Sequence, residues 1–337
     1  MILAVPCFLA GHNQKERGEK MNSKKKKRIK SRYVWPYLFV LPFFVIYIAF
    51  NCYPLVYTFF ISLKDWNGFS EARSVGFENY VTLFTKDQYF LKAIQNTLLF
   101  MAFDIPIVII GGLVLASAFN SKHLKGVNFF RTAAFLPYIT IPVAIGVLFS
   151  LLFDWNSGAV NALLQKTGLI QTPLNFLGQP GLARMVVILM ICWKYIGYHM
   201  IFFNAGITGI SMEIYEAADV DGASAITKFT KITVPLLKPI IEYLVIMNII
   251  WGFQLFDEPK VLFSAWTSSS GASGLVGGPL RSCLTAIWYI YDTTFGAQMN
   301  YGKGAAAAYG TFLFILVFSL IAFVIMKILG RKDGDEK

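Results

Sequence analysis

The stretch TLLFMAFDIPIVIIGGLVLASAF, residues Thr97–Phe119, decides the fold of this chain. It is apolar on all sides of a helix, and Asp104 is its single charged residue. A helix needs roughly 20 such residues to cross the hydrocarbon core of a bilayer. A helix on the surface of a soluble domain would be apolar on one face only. The stretch therefore predicts a membrane-spanning helix.

Further stretches of this kind predict an all-α integral membrane protein. The chain has 337 residues, of which 56% are hydrophobic and 15% charged, whereas a soluble domain is about 25% charged. Several segments contain prolines, which spanning helices tolerate because neighbouring helices re-satisfy the freed carbonyls. We expect six transmembrane helices, at Leu38–Phe60, Thr97–Phe119, Thr132–Phe153, Met185–Ile207, Pro239–Phe256 and Ala305–Leu329.

The distribution of Lys and Arg predicts that both termini are cytoplasmic. With the N-terminus inside, the inner segments carry about twice as many of these residues as the outer ones. The densest run, KKKKRIKSR at Lys24–Arg32, directly precedes the first span. Such a run fits topology and contact with anionic lipid better than nucleic-acid binding. We expect a basic, disordered N-terminus over 1–35, a membrane domain over 36–330 and a cytoplasmic tail over 331–337.

The sequence shows no catalytic constellation. The four cysteines lie far apart, with neither a disulfide framework nor metal-ligand spacing. A phosphate-binding G-x-x-x-x-G-K-[ST] motif and a nucleophile elbow are both missing from the sequence. We therefore expect a protein that is not an enzyme, binds no cofactor or metal, and does not hydrolyse ATP itself.

A polar stretch, EAADVDGASAITKFTKITVP at Glu216–Pro235, interrupts the apolar runs. Ser211 can cap a first helix, and Gly222 is a natural left-handed stop. A second short helix is expected at about Ser224–Ile232, and Pro235 ends it. The two helices form a compact knob suited to a groove on another protein.

Glu216-Ala217-Ala218, followed by Gly222 and Pro235, resembles the EAA motif of permease subunits in binding-protein-dependent ABC importers. Other stretches are similar to the carbohydrate-uptake group, the maltose, lactose and glycerol-phosphate type. They are PYLFVLPFFVIYIAFNCYPLVYTFFISLKDWNG (36–68), VGFENYVTLF (75–84), FFRTAAFLPYITIPVAIGVLF (129–149), and FQLFDEPKVLF (253–263) with a later GGP (277–279). One departure is the Ser- and Gly-rich stretch before GGP, which is longer than the family's turn and which we expect to be mobile over 264–278.

The resemblance implies partners. Two permease subunits, of which the second is a distinct paralogue, would form the pathway in the bacterial plasma membrane. Two copies of an ATP-binding subunit would use ATP, and an extracytoplasmic solute-binding protein would deliver a sugar. The loop at 208–239 would be cytoplasmic and would dock into the ATPase. Its coupling residues would be Glu216, Ala217, Ala218, Asp221, Gly222 and Ala223.

Polar residues inside spans are candidate positions of the substrate pathway. On the fifth span they fall within an arc of about 140° at 100° per residue, and two residues of the fourth span lie one turn apart. The set is Tyr243, Asn248, Trp251, Gln254, Glu258, Lys194 and Tyr198. Polar residues also pack spanning helices together, and the sequence leaves this alternative open.

Two expectations concern single groups within the spans. Asp104 lies at a depth comparable to Lys194, so the two are predicted to pair, because an unpaired charge at mid-bilayer costs about 3 kcal/mol. His199 is expected to be hydrogen-bonded rather than a proton carrier.

Two other functions remain open at this point. An ABC permease for a non-sugar solute such as glycerol phosphate would require an anion for uptake. An independent secondary transporter would work without any ATPase, and it often shows internal repeats, which the sequence lacks.

Overall fold

The computed structural model describes residues 35–120, 124–270, 276–297 and 299–332. The chain is mostly helical. The helices are α1 Trp35–Ser62, α2 Glu78–Thr85, α3 Gln88–Phe119, α4 Val127–Ile139, α5 Pro142–Leu152, α6 Ala159–Lys166, α7 Pro180–Thr208, α8 Met212–Val220, α9 Ala225–Leu236, α10 Lys238–Phe253, α11 Asp257–Ser270, α12 Ala286–Phe295 and α13 Tyr301–Lys332. Strands β1 Lys64–Asp65 and β2 Arg73–Ser74 form an antiparallel pair.

The first helix, α1, is apolar and contains a π-helical turn at Ile48–Cys52. This turn lies just before Pro54. Proline has no N–H, and its ring clashes with the carbonyl four residues earlier, so a wider turn relieves the crowding without breaking the helix.

Four helices are long and apolar enough to cross a membrane: α1, α3, α7 and α13. Two bent pairs could supply further crossings, because α4 with α5 and α9 with α10 also pass this test together. The described residues therefore contain between four and six spans.

The segment predicted as the third span, Thr132–Phe153, is not one continuous helix. The chain bends by 97° between α4 and α5. Ile141 is extended, with φ −61° and ψ 138°, and Pro142 starts α5. A residue before proline avoids the helical region, so the break falls where the sequence places Pro142.

The fifth span also departs from its prediction. It was expected at Pro239–Phe256, but α10 ends at Phe253 and α11 begins at Asp257. Of the stretch expected to be mobile, 264–278, residues 264–270 belong to α11 rather than to a loop, and 271–275 lie outside the described residues.

The apolar core lies along the long helices. Its largest fully buried side chains include Phe90, Phe100 and Phe203. Gly112 of α3 lies against α7, where an added Cβ would come 2.6 Å from His199 Cβ. Small residues let spanning helices approach closely, and this contact brings the polar groups of α7 near α3.

A buried carboxylate ties three helices together at the start of α3. Asp87 caps α3 by accepting hydrogen bonds from the backbone N–H groups of Tyr89 and Phe90. It also accepts one from the Tyr289 hydroxyl at 2.7 Å and pairs with the Lys303 ammonium. Burial raises the pKa of Asp87, but the hydrogen bonds from Lys303, Tyr289 and Phe90 outweigh it and hold the pKa below its usual value.

The predicted terminal segments fall largely outside the described residues. Residues 1–34 of the basic N-terminal segment and 333–337 of the tail are among them. Helix α13 runs through Lys332, two residues into the predicted tail.

Candidate functional site

Helices α3, α4, α7 and α10, with the start of α11, enclose a cavity of about 530 Å³. Its walls mix aromatic rings with amides, carboxylates and one ammonium. The predicted pathway residues in its lining are Asn248, Trp251, Gln254, Glu258 and Lys194.

A buried ion pair crosses one side of this cavity. Lys194 Nζ lies 2.6 Å from Glu258 Oε1, and both side chains are less than a tenth exposed. The Tyr195 hydroxyl donates to the same oxygen at 2.9 Å. The predicted Asp104–Lys194 pair is therefore wrong, because Glu258 holds the ammonium instead.

The end of helix α10 before Glu258 explains why Lys194 pairs with Glu258 and not, as predicted, with Asp104. Extending α10 by 100° per residue places Glu258 on the same stripe as Asn248 and Trp251. Instead, Gln254 is the C-cap of α10, and Glu258 lies in the first turn of α11. The predicted single stripe is wrong at these two positions, although both still line the cavity.

Asp104 also lines the cavity, and its Oδ1 is buried without a hydrogen-bond partner among the described residues. Buried polar groups in proteins are nearly always paired. A buried oxygen without a partner at the wall of a cavity is available to a ligand.

Two predicted pathway residues, Tyr198 and Tyr243, are not part of the cavity lining. Tyr198 packs against Tyr138 and Trp251, with ring centroids 4.7 Å and 5.5 Å away. Tyr243 stacks on Phe202 at 5.9 Å. They extend an aromatic cluster that begins at the lining residues Tyr138 and Trp251.

His199 is hydrogen-bonded and completely buried. Its Nδ1 lies 2.8 Å from the Tyr195 carbonyl and its Nε2 lies 2.7 Å from the Asn248 amide nitrogen. The carbonyl can only accept, so Nδ1 carries the proton and Nε2 accepts from Asn248. The expectation of a hydrogen-bonded histidine is confirmed.

Sequence reasoning did not assign Asp104, Tyr138 or Tyr195 to the pathway, yet all three line the cavity. Tyr138 lies just before the α4–α5 break, and Tyr195 follows Lys194 directly. A proline-flanked break inside an apolar run is the signal that could have identified Tyr138, because irregular backbone at membrane depth lines cavities.

The second candidate site is the loop formed by α8 and α9. Ser211 caps α8 by accepting from the Glu213 N–H, and Ser224 caps α9 by accepting from the Thr227 N–H, as each motif requires. Gly222 has φ +74°, the left-handed conformation that its position predicted. The second helix is longer than expected: α9 continues through a π-helical turn at Phe229–Thr233.

Two contacts hold α8 and α9 together. Tyr215 and Thr233 share a hydroxyl–hydroxyl hydrogen bond of 2.9 Å. Lys228 pairs with Asp219 at 2.6 Å. These contacts make the loop one structural unit.

The predicted coupling residues divide into exposed and covered ones. Glu216, Ala217, Asp221 and Gly222 are exposed, and Ala223 is half-buried. Ala218, by contrast with the adjacent Ala217, is buried. Two apolar side chains beside the exposed set, Val220 and Ile226, are 88% and 76% exposed.

Comparison with known proteins places both sites in context. Residues 108–332 match the family described as binding-protein-dependent transport system inner membrane component. The lactose transport system permease protein LacF of Rhizobium radiobacter is 35% identical, over 85% of this chain and 92% of that protein. The arabinooligosaccharides transport system permease protein AraP of Bacillus subtilis is 33% identical, over 89% of this chain and 90% of that protein.

Relatives with charged substrates in their names also match. The sn-glycerol-3-phosphate transport system permease protein UgpA of Yersinia pestis is 31% identical, over 86% of this chain and 92% of that protein. A bacterial ABC transporter involved in the import of the acidic polysaccharide alginate has a similar structure. Its TM-score is 0.73 at 25% identity, and the match covers 90% of this chain and 98% of that one.

The family match covers most of the chain, and the named relatives match over nearly their whole length. The apolar helices place the chain in the plasma membrane as a multi-pass protein. The chain belongs to the inner membrane components of binding-protein-dependent transport systems, the permease subunits of ABC importers.

Proposed function

We propose that this chain forms half of the translocation pathway of an ATP-driven, binding-protein-dependent sugar importer. The observation that carries the proposal is the cavity, which combines hydrogen-bonding groups with aromatic faces. Sugars need both, because their hydroxyls bond to amides and carboxylates while their C–H faces pack on rings. Relatives named for lactose and arabinooligosaccharides support this substrate class.

The topology that this function needs has six crossings, supplied by α1, α3, the bent pair α4–α5, α7, α10 and α13. Both termini and the α8–α9 loop are then cytoplasmic, as the excess of Lys and Arg on that side predicts. The 97° bend between α4 and α5 would place irregular backbone beside the pathway.

The α8–α9 loop would be the coupling element. Its exposed acidic residues, Glu216 and Asp221, suit a basic partner, and the exposed Val220 and Ile226 suit an apolar groove. ATP binding can drive transport only if closure of the ATPase favours one permease conformation. A capped and internally bonded helical unit transmits displacement that a flexible tether would absorb.

The partners follow from this role. Two ATP-binding subunits would use ATP, so this chain needs no cofactor of its own, and a distinct paralogous permease would complete the pathway. A solute-binding protein would deliver the sugar; a similar alginate transporter is described in complex with an alginate pentasaccharide-bound periplasmic protein.

The test is uptake by the assembled transporter in proteoliposomes, with a panel of radiolabelled oligosaccharides. We expect uptake that requires the ATPase, the binding protein and ATP together. Uptake by the isolated chain, with no companion subunit, would instead identify a secondary transporter.

A second candidate substrate is an anion such as glycerol phosphate. The 31% identity to the glycerol-3-phosphate permease favours it. The same uptake panel distinguishes the two, because this alternative requires an anionic solute.

A further inference from the structure

We propose that the cavity admits uncharged saccharides and disfavours anionic ones, and that Asp104 is a specificity-determining residue. This inference rests on the proposed sugar transport and narrows its substrate class. It separates this chain from relatives named for glycerol phosphate and alginate.

The first argument is the charge of the cavity wall. Of the described residues that line it, Lys194 alone is a cation, whereas Asp104, Asp257 and Glu258 are carboxylates. Lys194 already pairs with Glu258 at 2.6 Å. An anionic ligand would have to displace Glu258 from a buried pair, which would leave that carboxylate uncompensated.

The second argument is the use of hydrogen-bond donors. Lys194 Nζ and the Tyr195 hydroxyl both donate to Glu258 Oε1. The Asn248 amide nitrogen bonds to His199 Nε2 and to the Leu244 carbonyl, both at 2.7 Å, and so uses its two hydrogens. These internal bonds use one hydrogen of the Lys194 ammonium, the hydroxyl hydrogen of Tyr195 and both amide hydrogens of Asn248.

The third argument is the acceptor that remains. Asp104 Oδ1 is buried and unpartnered in the part of the chain that the structure describes. A ligand that satisfies it must bring a donor. A sugar hydroxyl is such a donor, whereas the carboxylate or phosphate group of an anionic solute offers only acceptors at this position and brings a like charge close to Asp104. Trp251 and Tyr138 supply the faces on which the sugar ring can lie.

The charge preference can be measured without knowing the transported solute. Gln254 is exposed and lines the cavity, so Gln254→Cys places a reactive thiol there. The assembled transporter is treated with a cationic reagent, trimethylammonioethyl methanethiosulfonate, and with the anionic sulfonatoethyl analogue. Protein without Gln254→Cys corrects for the four native cysteines, and 2-mercaptoethanol gives the reference ratio of the two rates in solution.

We expect the cation-to-anion rate ratio to exceed the solution ratio by about tenfold, because a cavity in which carboxylates outnumber cations concentrates positive ions. Asp104→Asn should reduce this excess several-fold. Glu242→Gln is the matched control: it removes a carboxylate from α10 that is not part of the cavity lining, and the ratio should stay unchanged.

A ratio equal to the solution value, or one that favours the anion, would overturn the proposal. So would an excess that survives Asp104→Asn intact. If Gln254→Cys does not assemble, Tyr138→Cys probes the same cavity. A failure here leaves the saccharide uptake assay unaffected, whereas loss of saccharide uptake with an intact ratio would count against the proposed sugar transport alone.

Discussion

The cavity and the α8–α9 loop differ in whether their polar side chains are bonded to one another or exposed to solvent. In the cavity, Lys194, Glu258 and Tyr195 bond to one another and are largely shielded from solvent. In the loop, Glu216 and Asp221 are exposed, with no ion pair among the described residues. Lys194, Glu258 and Tyr195 find their partners within the chain, unlike Asp104 Oδ1, whereas Glu216 and Asp221 of the loop are open to a partner outside it.

The difference follows from the surroundings of the two regions, the bilayer for the cavity and water for the loop. Inside a bilayer no water satisfies a polar group, so the chain must do so itself. In water an exposed carboxylate is solvated at little cost, and it can be kept for a partner. The contrast therefore supports the proposals that the loop is the docking region and that Asp104 is the cavity group kept for a ligand, and the following predictions test it.

Lys194→Met should have the largest effect, because it breaks the self-contained pair. The substitution leaves Glu258 as a buried carboxylate without a cation, which should destabilise the protein by about 3–5 kcal/mol. Thermal unfolding of the purified transporter measures this loss.

The control for this prediction is Lys166→Met, an exposed lysine in the last turn of α6, which should unfold like wild type. The double variant Lys194→Met/Glu258→Gln should recover much of the lost stability. A double variant no more stable than Lys194→Met would show that the two charges do not depend on each other.

Gly222→Val tests the other side of the comparison. Gly222 has φ +74°, and an added Cβ would meet nothing within 4 Å, so the cost is backbone strain rather than a clash. A β-branched residue there costs on the order of 1–3 kcal/mol. We expect ATP-driven uptake to fall about tenfold while membrane insertion is unchanged.

Gly222→Asn is the matched variant, because asparagine tolerates the left-handed conformation. It should keep most of the uptake. Wild-type uptake by Gly222→Val would contradict the coupling role of the loop.

The same two regions differ in how well their sequence predicted them. In the loop, local rules were sufficient: Ser211 caps α8, and Gly222 adopts the left-handed turn. These features depend on residues within one or two turns of each other. The helix cap and the left-handed turn can therefore be predicted from the local sequence without knowledge of the rest of the fold.

The cavity depends on long-range structure that the sequence does not display. Pro106 stays inside the continuous helix α3, whereas Pro142 begins a new helix after a 97° bend. The residue type is the same, so packing against neighbouring helices decides the outcome. Likewise, the observed partner of Lys194 differs from the predicted one. The helix is interrupted between Phe253 and Asp257, where the periodicity predicted a continuous helix.

Asp87 extends the comparison to a self-contained cluster at the end of a span. Its pKa is held below the usual value in the folded protein, so its contribution to stability is present above about pH 4 and is lost as the pH falls through the folded value. We expect Asp87→Asn to lower stability at pH 7 by about 1.5–3 kcal/mol, the range for hydrogen bonds to charged groups, and to weaken the acid dependence. Thermal unfolding between pH 7 and pH 3 measures both effects.

The control is Asp154→Asn, in an exposed turn, which should lower stability less at pH 7. Equal losses of stability for Asp87→Asn and Asp154→Asn would contradict the role of burial.

Lys228→Gln should have the smallest effect on stability and sharpens the description of the loop. The Lys228–Asp219 pair is partly exposed, and such pairs contribute about 0.2–1 kcal/mol. This pair joins α8 to α9, so its loss should loosen the unit that transmits ATPase closure. Uptake should fall by at most about half, while the thermal unfolding temperature hardly changes. Lys231→Gln is the control, because Lys231 is exposed on the same helix and should affect neither measurement. A large loss of stability with unchanged uptake would mean that the pair only holds the fold, and that the rigidity of the loop does not contribute to coupling.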